Sequence, residues 1–288
     1  MTKKEWSKDQ IDFLRNNYLS MSNDEISKTI GRTRKAVQVK LSKLGLKRPD
    51  KYYYNKRFFQ CIDTKEKAYW LGFLYADGYV CISESNSEVG VELSVVDVNH
   101  LKKFNKALEG NIQPMLRKER KGVIKPTQGI VSFRIYSKEM AQDLISNGCT
   151  QNKTFSIKFP SFENRGLMWS FIRGYFDGDG SVYRDIGRKF IGFNFTSGSK
   201  EFLEGLKKFL YEDGIYGYLS EENRKDNRFQ KNSKSYKLLI TGMNNAYRFG
   251  EKLYEQATIF LDRKKVRYDN SIKEYNIKER IKLRPYHK

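Results

Sequence analysis

Two stretches of the chain are almost continuously apolar, and they share one grammar. Ala68–Val80 reads AYWLGFLYADGYV and Ser170–Val182 reads SFIRGYFDGDGSV. Each predicts a buried helix with a small residue at a four-residue interval, Ala68 and Gly72 in the first and Ser170 and Gly174 in the second. Small residues so spaced leave a flat stripe where another helix backbone can come close, so the two runs are expected to pack on each other in parallel. Each run closes on an acid and a glycine, Asp77-Gly78 and Asp179-Gly180, and the two acids lie 102 residues apart. Leu101, Phe104 and Leu108 fall on Leu203, Leu206 and Leu210 at that same offset. A repeat of this size is a duplicated domain, not a solenoid unit. A glycine just past the last turn predicts a left-handed helix cap, which sets each acid at a helix C-terminus.

The rest of the pattern divides the chain into five segments. Residues 1–46 predict three short helices. Trp6, Ile11, Leu14 and Tyr18 form an apolar face after a cap at Ser7. Ser22 to Glu25 reads as a capping box, and Thr33 opens a third helix carrying Ala36, Val37, Leu41 and Leu44. Residues 47–60, KRPDKYYYNKRFFQ, read as a basic aromatic linker. In the half at 61–160, Tyr79–Ser83 and Val89–Val96 alternate as a hairpin. A helix over Asn99–Leu108 follows, then strands over Asn111–Arg117 and Gly129–Tyr136, and a helix over Lys138–Ser146. The half at 161–270 repeats the order. Its strands are Ser181–Asp185, Lys189–Ser197, Ile215–Leu219 and Ser235–Thr241, with helices over Lys200–Tyr211 and Asn244–Glu255. Between its last two strands an inserted, basic polar loop carries Arg224, Lys225, Arg228, Lys231 and Lys234. Residues 271–288 form a basic tail, a charged helix or an extended arm. The fold class is α+β.

Charge then narrows the partner. The chain has 288 residues, with 55 Lys+Arg against 34 Asp+Glu, a formal net charge of +21. Such an excess calls for a polyanion, and nucleic acid is the first candidate. An aromatic content of 14% argues for folded cores rather than a disordered basic tail. Three cysteines without metal or redox spacing fit a reduced, cytoplasmic compartment, and no apolar run is long enough to cross a bilayer. No small-molecule substrate is indicated. On the third predicted helix, Arg34, Lys35, Gln38 and Lys40 suit phosphates and base edges. On the strands, Arg117, Lys118, Ser132 and Arg134 are expected on the exposed face, available to face DNA, and Arg224, Lys225 and Arg228 of the inserted loop read as phosphate contacts or as a solvated charge run.

The two acids raise the question of chemistry. A helix C-terminus is the wrong end of the dipole for a carboxylate. Two carboxylates brought together at two such ends are costly unless protonated or bridged by a cation. Oxygen ligands with room for water suit Mg²⁺, with Mn²⁺ able to replace it. The alternative is that Asp-Gly is a common turn dipeptide; two copies in register favour the metal site.

These paired segments resemble the motifs of the LAGLIDADG homing endonucleases, in the double-motif, single-chain form. The resemblance is firm at Gly72, Asp77 and Gly78 and at Gly174, Asp179 and Gly180, and runs from Cys61 to about Asp269. The sixth motif letter, often acidic, is Tyr75 in one copy and Asp177 in the other. The resemblance implies two pseudo-symmetric αββαββα halves forming a DNA-binding saddle, here preceded by a Myb/SANT-like or resolvase-like helix-turn-helix domain. It implies Asp77 and Asp179 as catalytic metal ligands, with Ala76 and Gly178 beside them. A lysine in each half reaches toward the scissile phosphates: Lys153 in the first, and in the second Lys264, although Arg263 and Lys265 are adjacent. The implied activity is Mg²⁺-dependent double-strand cleavage at a long asymmetric site by a monomer. Intron homing comes with it, in a bacterial or phage-infected cell or an organelle, and intron RNA is a second candidate partner. With only His100 and His287 in the chain, an HNH-type nuclease is disfavoured. The competing reading is a relative that binds DNA or RNA without cutting, an intron maturase or a helix-turn-helix regulator.

Overall fold

The computed structural model describes residues 5–48, 50–84, 86–117, 129–226 and 231–282. The chain forms two compact units, residues 1–53 and 54–288.

In the first unit, α1 (Lys8–Asn17), α2 (Asn23–Ile30) and α3 (Arg34–Lys43) start where side chains satisfy the free amides at their first turns. Ser7 with Gln10 and Ser22 with Glu25 form capping boxes, and the Thr33 hydroxyl accepts from the Ala36 amide. Gly31 ends α2 with φ +64°, a conformation glycine adopts without strain. Leu14, Ile26, Val37 and Leu41 make a small core. On α3, Arg34, Lys35 and Gln38 are exposed, while the Lys40 ammonium lies 5.7 Å from the centre of the Trp6 ring.

The second unit runs α4 (Lys65–Ala76), β1 (Gly78–Ile82), β2 (Ser87–Ser94), α5 (Val98–Ala107), β3 (Met115–Leu116), β4 (Ile130–Ile135) and α6 (Lys138–Ser146). The same order returns as α7 (Arg165–Asp179), β5 (Gly180–Asp185), β6 (Phe190–Ser197), α8 (Lys200–Glu212), β7 (Tyr218–Asp226), β8 (Lys231–Ile240) and α9 (Met243–Tyr254). Helices α10 (Asp262–Glu274) and α11 (Ile277–Lys282) follow. Each half has a four-stranded antiparallel sheet, ordered β1-β2-β4-β3 and β5-β6-β8-β7. Both sheets cover one continuous apolar core, so the halves are packed as one body. A tyrosine ring in each sheet lies over a glycine directly across the strand pair, Tyr79 over Gly90 and Tyr183 over Gly192.

Helices α4 and α7 form the seam between the halves. A Cβ at Gly72 would stand 2.0 Å from the carbonyl oxygen of Phe171, and one at Gly174 would stand 1.9 Å from that of Tyr69. The neighbours advance together along both helices, so the packing is parallel. Ala68 and Ser170 are both buried.

Several expectations need correction. Gly78 and Gly180 are not left-handed caps; neither has positive φ, and each is the first residue of a strand. Glycine is required there for space, since a Cβ would meet Leu74 Cα at 2.8 Å in one case and the Phe176 ring at 2.2 Å in the other. The strand expected over Asn111–Arg117 is only Met115–Leu116. Asn105 takes the Ile112 amide and the Gly110 carbonyl for itself, and Pro114 has no amide to give. The inserted basic stretch is no loop: β7 and β8 run through it as a long hairpin. Its polar sequence lacks the apolar alternation that marks a strand, and ion pairs Lys234–Glu221 and Lys237–Glu222 cross it instead, both 2.7 Å. Of the basic residues named there, Arg228 lies outside the described residues. The segment after 270 is not a separate tail, because α10 runs through that point and Tyr275 and Ile277 are buried in the core. Nor is 47–60 wholly linker, as Phe58 and Phe59 belong to the same core.

His100, 2% exposed on α5, carries a stability signature. Burial, aided by the Lys103 charge, pushes it down to about 3, so it is neutral when folded. The unfolded chain takes up a proton below about pH 6.5 that the native state refuses, so stability is lost on acidification. Between pH 8 and pH 5 this term is expected to remove about 2 kcal/mol. Urea denaturation of wild type and His100→Gln at both pH values should differ by that amount; equal responses would reject the neutral buried histidine.

Candidate active site at the paired helix ends

The parallel seam delivers the ends of α4 and α7 to one place. Asp77 is the C-cap of α4 and Asp179 the last residue of α7. The half-buried Asp77 carboxylate lies alongside the partner helix end, 3.2 Å from where a Gly178 Cβ would stand. Burial, with the charge of Asp179, raises the Asp77 carboxyl to about 6. Asp179 is exposed. Both acids therefore sit where each disfavours the other's charge and where the helix dipoles are negative. Among the described residues no group of three or more His, Cys, Asp or Glu is placed to hold a metal ion, so a cation here would rest on the two carboxylates, neighbouring carbonyls and water.

Two lysines answer the helix dipoles. Lys153, in the single 3₁₀ turn Lys153–Phe155, donates to the carbonyls of Tyr75 and Ala76, both at 2.6 Å. Lys264, at the start of α10, is 5% exposed and donates to the carbonyls of Phe176 and Asp177 at 2.7 Å, Gly178 at 3.1 Å and Gly180 at 2.6 Å. Tyr75 and Ala76 occupy the positions of Asp177 and Gly178 in the repeat, so Lys264 is the structural counterpart of Lys153. Its neighbours are engaged elsewhere: Arg263 pairs with Asp97 of the first half at 3.0 Å, and Lys265 pairs with Asp269 at 2.5 Å. Burial lowers the ammonium pKa of both lysines, that of Lys264 to about 8. Each ammonium is a cationic C-cap, held a few bonds from an acid.

Behind this lies a buried polar chain that the sequence did not announce. Asp177, 1% exposed, accepts from the Tyr69 hydroxyl at 2.7 Å and from the Leu261 amide at 2.8 Å. The Tyr69 hydroxyl also meets His100 Nε2 at 2.9 Å. Arg173, in the middle of α7, donates to the carbonyls of Leu253 and Ile259. A tyrosine or arginine within an apolar helical run reads as core, and only the acidic sixth motif letter hinted at this network.

On the outer face of the first sheet, Arg117 pairs with Glu92 at 2.6 Å, and Arg134 reaches Glu92 at 3.4 Å and Glu88 at 3.6 Å. Ser132 is not exposed as expected: it is 6% exposed, a short side chain set between Glu92 of β2 and Met115 of β3, to whose carbonyl its hydroxyl donates at 3.4 Å. Lys118 falls outside the described residues. In the second sheet, Arg224 and Lys225 are strand residues of β7, opposite Ser233 and Asn232.

Among protein-family models, the LAGLIDADG-like domain matches residues 167–254. Among curated proteins, the DNA-directed RNA polymerase subunit Rpo1C of Methanocaldococcus jannaschii is 29% identical over 144 residues, 50% of this chain. That match spans only 15% of the subunit's own length. Among solved structures, mesophilic variants of the homing endonuclease I-DmoI align at 15% identity and a TM-score of 0.42, over 70% of this chain and 93% of theirs. The meganuclease I-SmaMI bound to uncleaveable DNA aligns at 13% identity and 0.46, over 74% and 89%. The I-LtrWI LAGLIDADG homing endonuclease bound to target DNA aligns at 13% identity and 0.44, over 78% and 92%. Among the described residues no helix is long and apolar enough to cross a membrane.

Proposed function

We propose that this chain is a site-specific homing endonuclease that makes metal-dependent double-strand breaks in DNA. The observation that carries the reading is the meeting of Asp77 and Asp179 at two parallel helix ends, in a chain of net charge +21. The LAGLIDADG-like match over 167–254 supports it. The donor set fits a hard divalent cation, Mg²⁺ or Mn²⁺: two carboxylates whose mutual repulsion a cation relieves, beside carbonyls that retain a second lone pair. Such a cation supplies water activation and stabilises charge on the leaving oxygen.

The chain's own residues do the rest. Asp77 and Asp179 hold the charge between the two strands. Lys153 and Lys264 neutralise the helix ends, keep the acids in position and place positive charge near the scissile phosphates. The first sheet presents Arg117 and Arg134 toward the duplex, and the basic β7–β8 hairpin of the second adds positive charge for the phosphate backbone. Helix α3 offers Arg34, Lys35 and Gln38 as a separate DNA-binding element in the manner of a helix-turn-helix. The halves differ in sequence, so a monomer reads a non-palindromic target.

The test is cleavage of supercoiled DNA carrying the sequence that flanks the insertion site of the protein's own gene. Wild type should linearise it with Mg²⁺ or Mn²⁺ and not in EDTA. Asp77→Asn and Asp179→Asn should each reduce cleavage by more than about a thousand-fold while DNA binding persists. Tight binding without cutting under every metal condition would overturn the nuclease and favour the maturase or regulator.

A further inference from the structure

We infer that Asp177 is a positioning residue that locks Lys264, so the two pseudo-symmetric helix ends are unequal, the second preset and the first adjustable around Lys153. Asp177 grips the segment bearing Lys264 at two points. Its carboxylate accepts from the amide of Leu261, the N-cap of α10, and its main-chain carbonyl accepts from the Lys264 ammonium at 2.7 Å. The carbonyl of Leu261 in turn accepts from the Lys264 amide at 3.0 Å, closing the first turn between those points. The same carboxylate oxygen holds the Tyr69 hydroxyl, which ties this turn across the seam to α4. Its other oxygen is buried with no hydrogen-bond partner among the described residues, so the charge there is met by nearby cations, Lys264 and Arg173 among them. A nearly inaccessible ammonium needs such a counter-charge, because an ion buried alone is costly.

The first half lacks this clamp. Tyr75 stands in the place of Asp177, and its hydroxyl donates to the carbonyl of Asn147 at 2.6 Å without supplying charge. Lys153 keeps two carbonyl acceptors, is only partly buried and stands on a single 3₁₀ turn. With two acceptors against four and no such carboxylate grip on its segment, its ammonium is, on this inference, the one that can leave the helix end for a substrate phosphate, whereas that of Lys264 stays where it is.

The cleavage arm of the test rests on the nuclease reading; the melting arm does not. Thermal melting of the full chain is measured for Asp177→Asn, Lys264→Met and Lys153→Met, and for the two doubles that pair Asp177→Asn with each lysine variant. Asparagine keeps the shape and an acceptor oxygen, so the fold survives. The double with Lys264→Met should melt within about 2 °C of the worse single, while the double with Lys153→Met should show additive losses. Additivity in both pairs overturns the inference. In the second arm, a target duplex is end-labelled on each strand in turn. Asp177→Asn should slow one strand by about ten-fold with Kd unchanged, and Lys153→Met should slow the other. Equal slowing of both strands by Asp177→Asn also overturns it. A wild-type protein that does not cut would count against the nuclease reading alone.

Discussion

Gly174→Ala is expected to prevent the two halves from closing on one another. The methyl group would sit 1.9 Å from the Tyr69 carbonyl oxygen and 2.8 Å from the Phe73 amide nitrogen, and both are backbone atoms of α4. A clash with a flexible side chain can be relieved by a rotamer change; this one requires a helix to move. Overpacking in a dense core usually costs about 1–3 kcal/mol, and the loss here should exceed that range. The reciprocal Gly72→Ala meets the Phe171 carbonyl and should behave alike. The control is Gly187→Ala, in the β5–β6 turn, where the nearest atom lies 3.6 Å away on a side chain. Soluble yield and urea midpoints should separate the pair from the control. Near-normal stability of both seam variants would mean that the helices do not touch backbone to backbone.

Lys264→Met should destabilise far more than Lys153→Met. Methionine fills much of the same volume but leaves four carbonyls at the end of α7 without their shared donor, and removes the cation facing Asp177. A buried acceptor left unmade costs about 1–3 kcal/mol, and a buried charge stripped of its partner about 3–5. The expected total is about 3–5 kcal/mol, a drop in Tm on the order of 10 °C for a domain of this size. At Lys153 only two carbonyls are released, in a part-buried setting, and the loss should be about 1 kcal/mol. Equal losses would show that burial is not what distinguishes the two lysines.

How far the sequence could be read follows from which interactions are local. The repeat, the seam glycines and the caps at Ser7, Ser22 and Thr33 were legible because spacing alone encodes them. Helix α6 was expected over Lys138–Ser146 and is found there, and most other elements shifted by a residue or so. The β7–β8 hairpin was not legible, because its pairing rests on cross-strand charge rather than on apolar alternation. The roles of Gly78 and Gly180 were misread, because a glycine at a helix end serves conformation or space and only three-dimensional neighbours decide between them. Choosing Lys264 over Arg263 and Lys265 needed the partners of all three, and Asp97, which holds Arg263, lies 166 residues away. The link from Tyr69 to Asp177 spans 108 residues and joins two letters of a motif that, read along the chain, never face one another.

The seam also bears on how two copies of one ancestral segment have grown apart. Trp70 stands opposite Ile172 in the repeat, Leu71 opposite Arg173 and Tyr75 opposite Asp177, whereas Gly72 and Gly174 are the same residue. Where side chain meets side chain, a change on one helix can be absorbed by a change on its neighbour, and drift after duplication has had room. Where backbone meets backbone there is nothing to trade. The rest of each helix records separate histories; its glycine records the geometry that both histories had to respect.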